Sequence, residues 1–151
     1  MPGGTTQSIN LTNTQTTSLP TATVKPLISP VQNPKINGTD LFTASTISST
    51  AVTLSWDPPT TGTPYGYSVA ILSPTTLPGS MRIEYLSTTT LGTAKTSMTL
   101  PPNMLASGKT YLFVITSLVD GKANMEMSPH RSSLPIANAD LISAPITTVA
   151  N

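Results

Sequence analysis

One histidine, six carboxylates and no cysteine form the reactive inventory of this 151-residue chain. Histidine is the one side chain that titrates near neutral pH unperturbed, and His130 stands between Pro129 and Arg131. A Ser-His-Asp arrangement needs an orienting carboxylate and a nucleophile on a strained turn, and no Gly-x-Ser-x-Gly occurs in the sequence. His130 therefore reads as a surface loop residue. Gly108-Lys109-Thr110 has the look of a phosphate-loop ending. The glycine required five positions earlier is Asn103, and no helical pattern follows, so the tripeptide reads as a turn into a strand.

The carboxylates are Asp40, Asp57, Glu84, Asp120, Glu126 and Asp140, widely spaced along the chain. An acid pair for glycoside hydrolysis would have to converge in space from loops and outward positions. Asp120 and Glu126 flank one loop and are the best-placed groups for a calcium ion. The expectation is nevertheless no catalytic residue, no metal and no cofactor. A carbohydrate platform needs exposed aromatic rings. Trp56, Tyr67, Tyr111 and Phe113 are claimed by apolar strand faces, which leaves Tyr65 and Tyr85. Asn10-Leu11-Thr12 and Asn37-Gly38-Thr39 are acceptor sequences for glycosylation at Asn10 and Asn37.

Composition narrows the classes further. There are 28 Thr and 18 Ser, charged residues are 9%, and the net charge is +1. No cationic surface is available for a phosphate backbone, so nucleic acid is not an expected partner. Without cysteine there is no disulfide framework and no thiolate metal site. No apolar run approaches the roughly 20 residues of a membrane-spanning helix. Met1 to Gln7 has neither a basic nor an apolar region, so no signal peptide is read there. Uncharged Thr/Ser-rich surfaces free of cysteine point to a secreted or cell-surface setting, of bacterial type.

The elements that must carry these residues are strands. Residues 1–38 read as a Thr/Pro-rich extended arm or linker, with prolines at 2, 20, 26, 30 and 34 excluding regular helix. Within it, Ser8 to Thr12 alternates polar and apolar, and an arm of this kind can add a strand to a sheet. From residue 39 to 151 the pattern is β. Val52, Leu54 and Trp56 share one face of a strand that Asp57-Pro58-Pro59 stops. Tyr67, Val69 and Ile71 follow on a second strand, and Ser73 to Gly79 reads as a turn. Met81 to Leu86 and Thr96 to Leu100 alternate again. Tyr111 to Leu118 is the longest apolar run, hence a central strand. Ala137 to Ile142 is expected to form one helical turn, and Ala144 to Val149 a last strand. Short strands separated by Pro/Gly turns argue an all-β, antiparallel two-sheet sandwich.

These residues together resemble a fibronectin type III domain. Phe42, Ile47, Val52, Leu54 and Trp56 fall at the first core positions. Trp56-Asp57-Pro58-Pro59 matches the Trp-x-x-Pro ending of strand B, and Gly66-Tyr67-Ser68-Val69 matches strand C. Leu105 to Tyr111 is similar to the Leu-x-Pro-Gly-x-x-Tyr turn into strand F, shifted by one residue at the glycine. The resemblance implies an immunoglobulin-like sandwich of about seven strands with Trp56, Tyr67, Leu105, Tyr111 and Phe113 in the core, and a tyrosine corner at Tyr111. Met125 to Ile142 would be an insertion before the last strand. No Arg-Gly-Asp occurs, so integrin-type adhesion has no support. The implied function is a non-catalytic spacing, adhesion or assembly module. Its partners would be other domains, a second copy through residues 1–35, or surface glycans. Two alternatives stand beside it: a self-assembling surface-filament subunit, and an accessory domain of an extracellular enzyme.

Overall fold

A computed structural model describes residues 7–10, 25–121, 127 and 136–150. Among them are eleven strands and no helix. In chain order these are β1 (Gln7–Asn10), β2 (Gln32–Ile36), β3 (Thr39–Asp40), β4 (Ser45–Ile47), β5 (Thr53–Asp57) and β6 (Gly66–Leu77). They continue as β7 (Ser80–Gly92), β8 (Ser97–Thr99), β9 (Thr110–Asp120), β10 (Ile136–Ile142) and β11 (Ile146–Thr148). One sheet runs β3-β2-β5-β8. In the other, β9 pairs β6 on one side, and β7 lies beyond β6. β9 also pairs β10 and β11, with β1 outside β10 and β4 outside β11. The β4–β11 contact is parallel; the other pairings are antiparallel.

Alternation dictates which side chains meet. β9 buries Tyr111, Phe113, Ile115 and Ser117 and leaves the residues between them half-buried. β5 turns Leu54 and Trp56 inward, and β6 supplies Tyr67, Val69 and Ile71. Leu105, Leu141 and Ile146 complete the same core between the two sheets. Stacked sheets about 10 Å apart need large side chains to fill the gap, and Trp56 and Tyr67 do so in an edge-to-face pair with centroids 5.5 Å apart.

The strand number exceeds about seven because framework strands are broken and the arm adds one. Pro145 separates β10 from β11, and the two-residue β3 is closed onto β2 by Asn37-Gly38, both at positive φ (49° and 82°). That turn matches the twist of the paired strands. The helical turn expected over Ala137 to Ile142 is instead strand β10. Ala137, Ala139 and Leu141 are buried, and the residues between them are half-buried. This two-residue period, together with the hydrogen-bonding edge of β9, overrides the weak strand preference of Ala, Asn and Asp. Strand β10 thus begins at Ile136, within the segment read as an insertion before the last strand. Ser73 to Leu77 is likewise not a turn but the continuation of β6, and only Pro78-Gly79 turns. Pro74 is tolerated because β9 stops pairing at Leu112, so β6 has no partner there except β7.

The core also reaches back before residue 39. Ile28, Val31 and Ile36 are fully buried or nearly so. Ile28 packs on Ala137 and Ala139, with Val119 beside them. The two alanines are small enough to leave room for the chain crossing over them. Ser29 N–H donates to the Thr61 carbonyl at 3.0 Å, and the Thr60 and Thr61 amides donate to Ser29 Oγ. Ser117 Oγ donates to the Ser29 carbonyl at 2.7 Å. Gly62 makes the crossing feasible: its φ is +78°, and a Cβ there would run into the Leu27 carbonyl.

Candidate functional site

Three of the carboxylates that the structure describes are engaged by nearby groups of the chain. Asp40 Oδ1 accepts the Phe42 amide at 3.0 Å, an Asx turn after β3. Asp57 Oδ2 accepts Asn33 Nδ2 at 2.7 Å. That bond spans the bulge where β2 shifts register against β5 and where Asn33 takes a φ of 46°. The bulge opens a surface groove of about 510 Å³ lined by Gln32, Asn33, Lys35, Asp40, Phe42 and Asp57, among others. It is concave and polar, but both of its carboxylates are held as acceptors by the adjoining loop and strand. Glu84 pairs with Arg82 on β7, Nε to Oε1 3.1 Å, with both side chains exposed. Asp120 ends β9; Glu126, weighed beside it for calcium, lies outside the described residues, as do His130 and Arg131. Among the described residues no three His, Cys, Asp or Glu side chains lie where they could share a metal ion.

Gly108-Lys109-Thr110 is a turn into β9, not an anion cradle. The Gly108 amide donates to the Val149 carbonyl at 3.3 Å, and the Lys109 amide to Thr148 Oγ1 at 3.0 Å. The donors that would hold a phosphate are thus spent on β11 and its continuation. Tyr111 forms the corner: the Ala106 amide donates to its hydroxyl at 2.8 Å, pinning the crossover that leads into β9.

The aromatic residues divide as their strands direct. Trp56, Tyr67, Tyr111 and Phe113 are buried, as is Leu105. Trp56 Nε1 and the Tyr67 hydroxyl have no hydrogen-bond partner among the described residues. Burial of the Tyr67 phenol raises its pKa above the ordinary tyrosine value. Orphaned donors of this kind cost about 1–3 kcal/mol each, so the two rings are kept for the apolar area they bury. Tyr65 is half-buried, whereas Tyr85 is 74% exposed on β7. Asn37 is engaged: its Nδ2 donates to the Ala51 carbonyl at 3.1 Å and its Oδ1 accepts the Thr53 amide at 2.8 Å. The nitrogen a glycan would need is therefore tied across the turn. Asn10 is the last residue of β1.

One surface was not legible from residue types. Leu77, Met81, Ile83, Tyr85 and Leu86 are all exposed along the β6–β7 hairpin. Alternation at Met81 to Leu86 marked a strand, but it does not reveal whether anything covers that strand. Proline at 74 and the turn at Pro78-Gly79 were the available signals that this hairpin leaves the sandwich.

No described residue is helical, so among the described residues there is no helix long and apolar enough to cross a membrane. A comparison with curated proteins gives no match. The family model for the fibronectin type III domain matches residues 34–132, which takes in the Trp56 strand, the Tyr111 corner and strands β3 to β9. With that match over most of its length, and a two-sheet sandwich packed around Trp56, Tyr67 and Tyr111, the chain belongs to the fibronectin type III domain family.

Proposed function

We propose that the chain is a non-catalytic spacing, adhesion or assembly module of a secreted or cell-surface protein, with a folded unit that starts near residue 25 and an N-terminal strand that docks on its sheet. Family membership supports a structural or interaction module. The uncharged, hydroxyl-rich composition supports the extracellular setting. The observation that carries the reading is β1: Gln7–Asn10 pairs antiparallel with Leu141–Asn138 at the outer edge of β10. Strand addition satisfies backbone groups that an open edge would leave to solvent, and it is a general mode of recognition between chains. A self-assembling subunit, whose arm occupies the edge of a neighbouring copy, is the second reading, and the same pairing favours it.

Deletion of residues 1–24 tests both readings, because it spares Ile28 and Val31. The truncated protein is expected to stay folded, and the amides of β10 are expected to exchange faster than in the intact chain. If the arm serves its own domain, sedimentation gives the same oligomeric state with and without it. If it serves a neighbour, association is lost on truncation. Unchanged β10 exchange would mean that the arm docks nowhere on this sheet.

A further inference from the structure

β7 is an edge strand: among the described residues it pairs with β6 alone. Past Leu72 β6 loses β9, so Ser73 to Glu84 forms a two-stranded ribbon beyond the sheet. Such ribbons are marginal in water without further packing. Of the eight exposed large hydrophobic residues described, five lie on this hairpin, which makes it a patch and not a scatter. Register assigns them to faces. Met81, Ile83 and Tyr85 stand opposite Thr76, Pro74 and Leu72 and form the apolar face; Arg82 and Glu84 stand opposite Thr75 and Ser73 on the other face, with Leu77 opposite Ser80, and Leu86 sits at the register shift between Ile71 and Leu72.

Exposed edges are usually blunted by like charges that repel a second copy. Here the two charges have opposite sign and flank Ile83 symmetrically. We propose that β7 joins two copies of this chain, antiparallel, about a twofold axis at Ile83. In that register Arg82 faces the second copy's Glu84 and Glu84 faces its Arg82. Met81 faces the second copy's Tyr85, and Ile83 faces its own counterpart. Centring the pair on residue 82 or 84 would set like charges against each other. Centring it on 81 or 85 would leave both charges without an opposite. One register therefore satisfies both the charged and the apolar face, and it is self-complementary, as a closed twofold interface must be. A net charge of +1 puts no long-range repulsion in its way.

Sedimentation velocity on the intact chain, over about 1 µM to 1 mM to cover modest strand-edge interfaces, reads the association. A concentration-dependent dimer is expected. Arg82→Glu alone sets glutamates against glutamates, and Glu84→Arg alone sets arginines against arginines. Each is expected to weaken the dimer on the order of tenfold or more, since opposed like charges destabilise a strand pair. An equimolar mixture of the two variants regains a dimer, now mixed, and the double reversal Arg82→Glu/Glu84→Arg regains the homodimer. Both side chains are exposed, so all variants should melt close to the wild type. A monomer across the whole range, a dimer indifferent to the single reversals, or a mixture that stays monomeric overturns the proposal. Association that depends on residues 1–24 instead would assign it to the arm and overturn it equally.

Discussion

Replacing Trp56 with alanine is expected to cost about 3–5 kcal/mol, the range for a large buried aromatic. The ring is 4% exposed and meets Tyr67 edge-on at 5.5 Å, in the middle of the core between the sheets. Strand β5, which carries it, is an interior strand between β2 and β8, so a collapse there reaches both of its neighbours. The full stability of a single domain is about 5–15 kcal/mol, so this one change removes a large share of it. Thermal melting followed by circular dichroism should show a midpoint lowered on the order of 10 °C or more, or no cooperative transition at all. A midpoint within a degree or two of wild type would show that Trp56 does not hold the sheets together.

The second large effect is expected at Ile28. It is fully buried against Ala137 and Ala139, in a segment whose prolines read as an extended arm or linker. Ile28→Ala should cost about 2–5 kcal/mol by opening a cavity over two residues too small to fill it. Leu27, its neighbour, is 43% exposed, and Leu27→Ala should change stability by no more than about 0.5 kcal/mol. Urea unfolding of the pair separates the readings. Equal midpoints would mean that residues 25–31 pass over the domain without belonging to it.

The contrast between these two positions shows what the sequence reveals. Val52, Leu54 and Trp56, like Tyr111, Phe113 and Ile115, repeat every second residue, and that local period is enough to assign a buried strand face. The Tyr111 corner was legible only through the resemblance of Leu105 to Tyr111 to the family's turn into strand F, and its bond to the Ala106 amide closes within that same short stretch. Ile28 has no such signature. Its burial depends on two alanines more than a hundred residues later, and on Gly62 giving way to the Leu27 carbonyl. β10 was misread because its inward residues are mostly alanine, which carries little apolar contrast with Asn138 and Asp140. The exposed row on β7 was hidden for another reason. Period identifies a strand, whereas exposure depends on where β9 ends, and nothing in Met81 to Leu86 encodes that. Residues that looked able to do chemistry are committed elsewhere in the folded chain: Asp40 to the Phe42 amide, Asp57 to the Asn33 side-chain amide, and the Gly108 turn to Thr148 and Val149.

Trp56, Tyr67, Tyr111 and Phe113 are used to build a two-sheet interior, and the single tryptophan reports on this directly. Trp56 is the sole indole in the chain, so its fluorescence needs no deconvolution. The emission should be blue-shifted and resistant to iodide quenching in the native protein. It should move to the red in one cooperative step that coincides with loss of the β signal in circular dichroism, as a two-state domain requires. A native emission already red-shifted and freely quenched would place Trp56 in water and contradict the sandwich built around it.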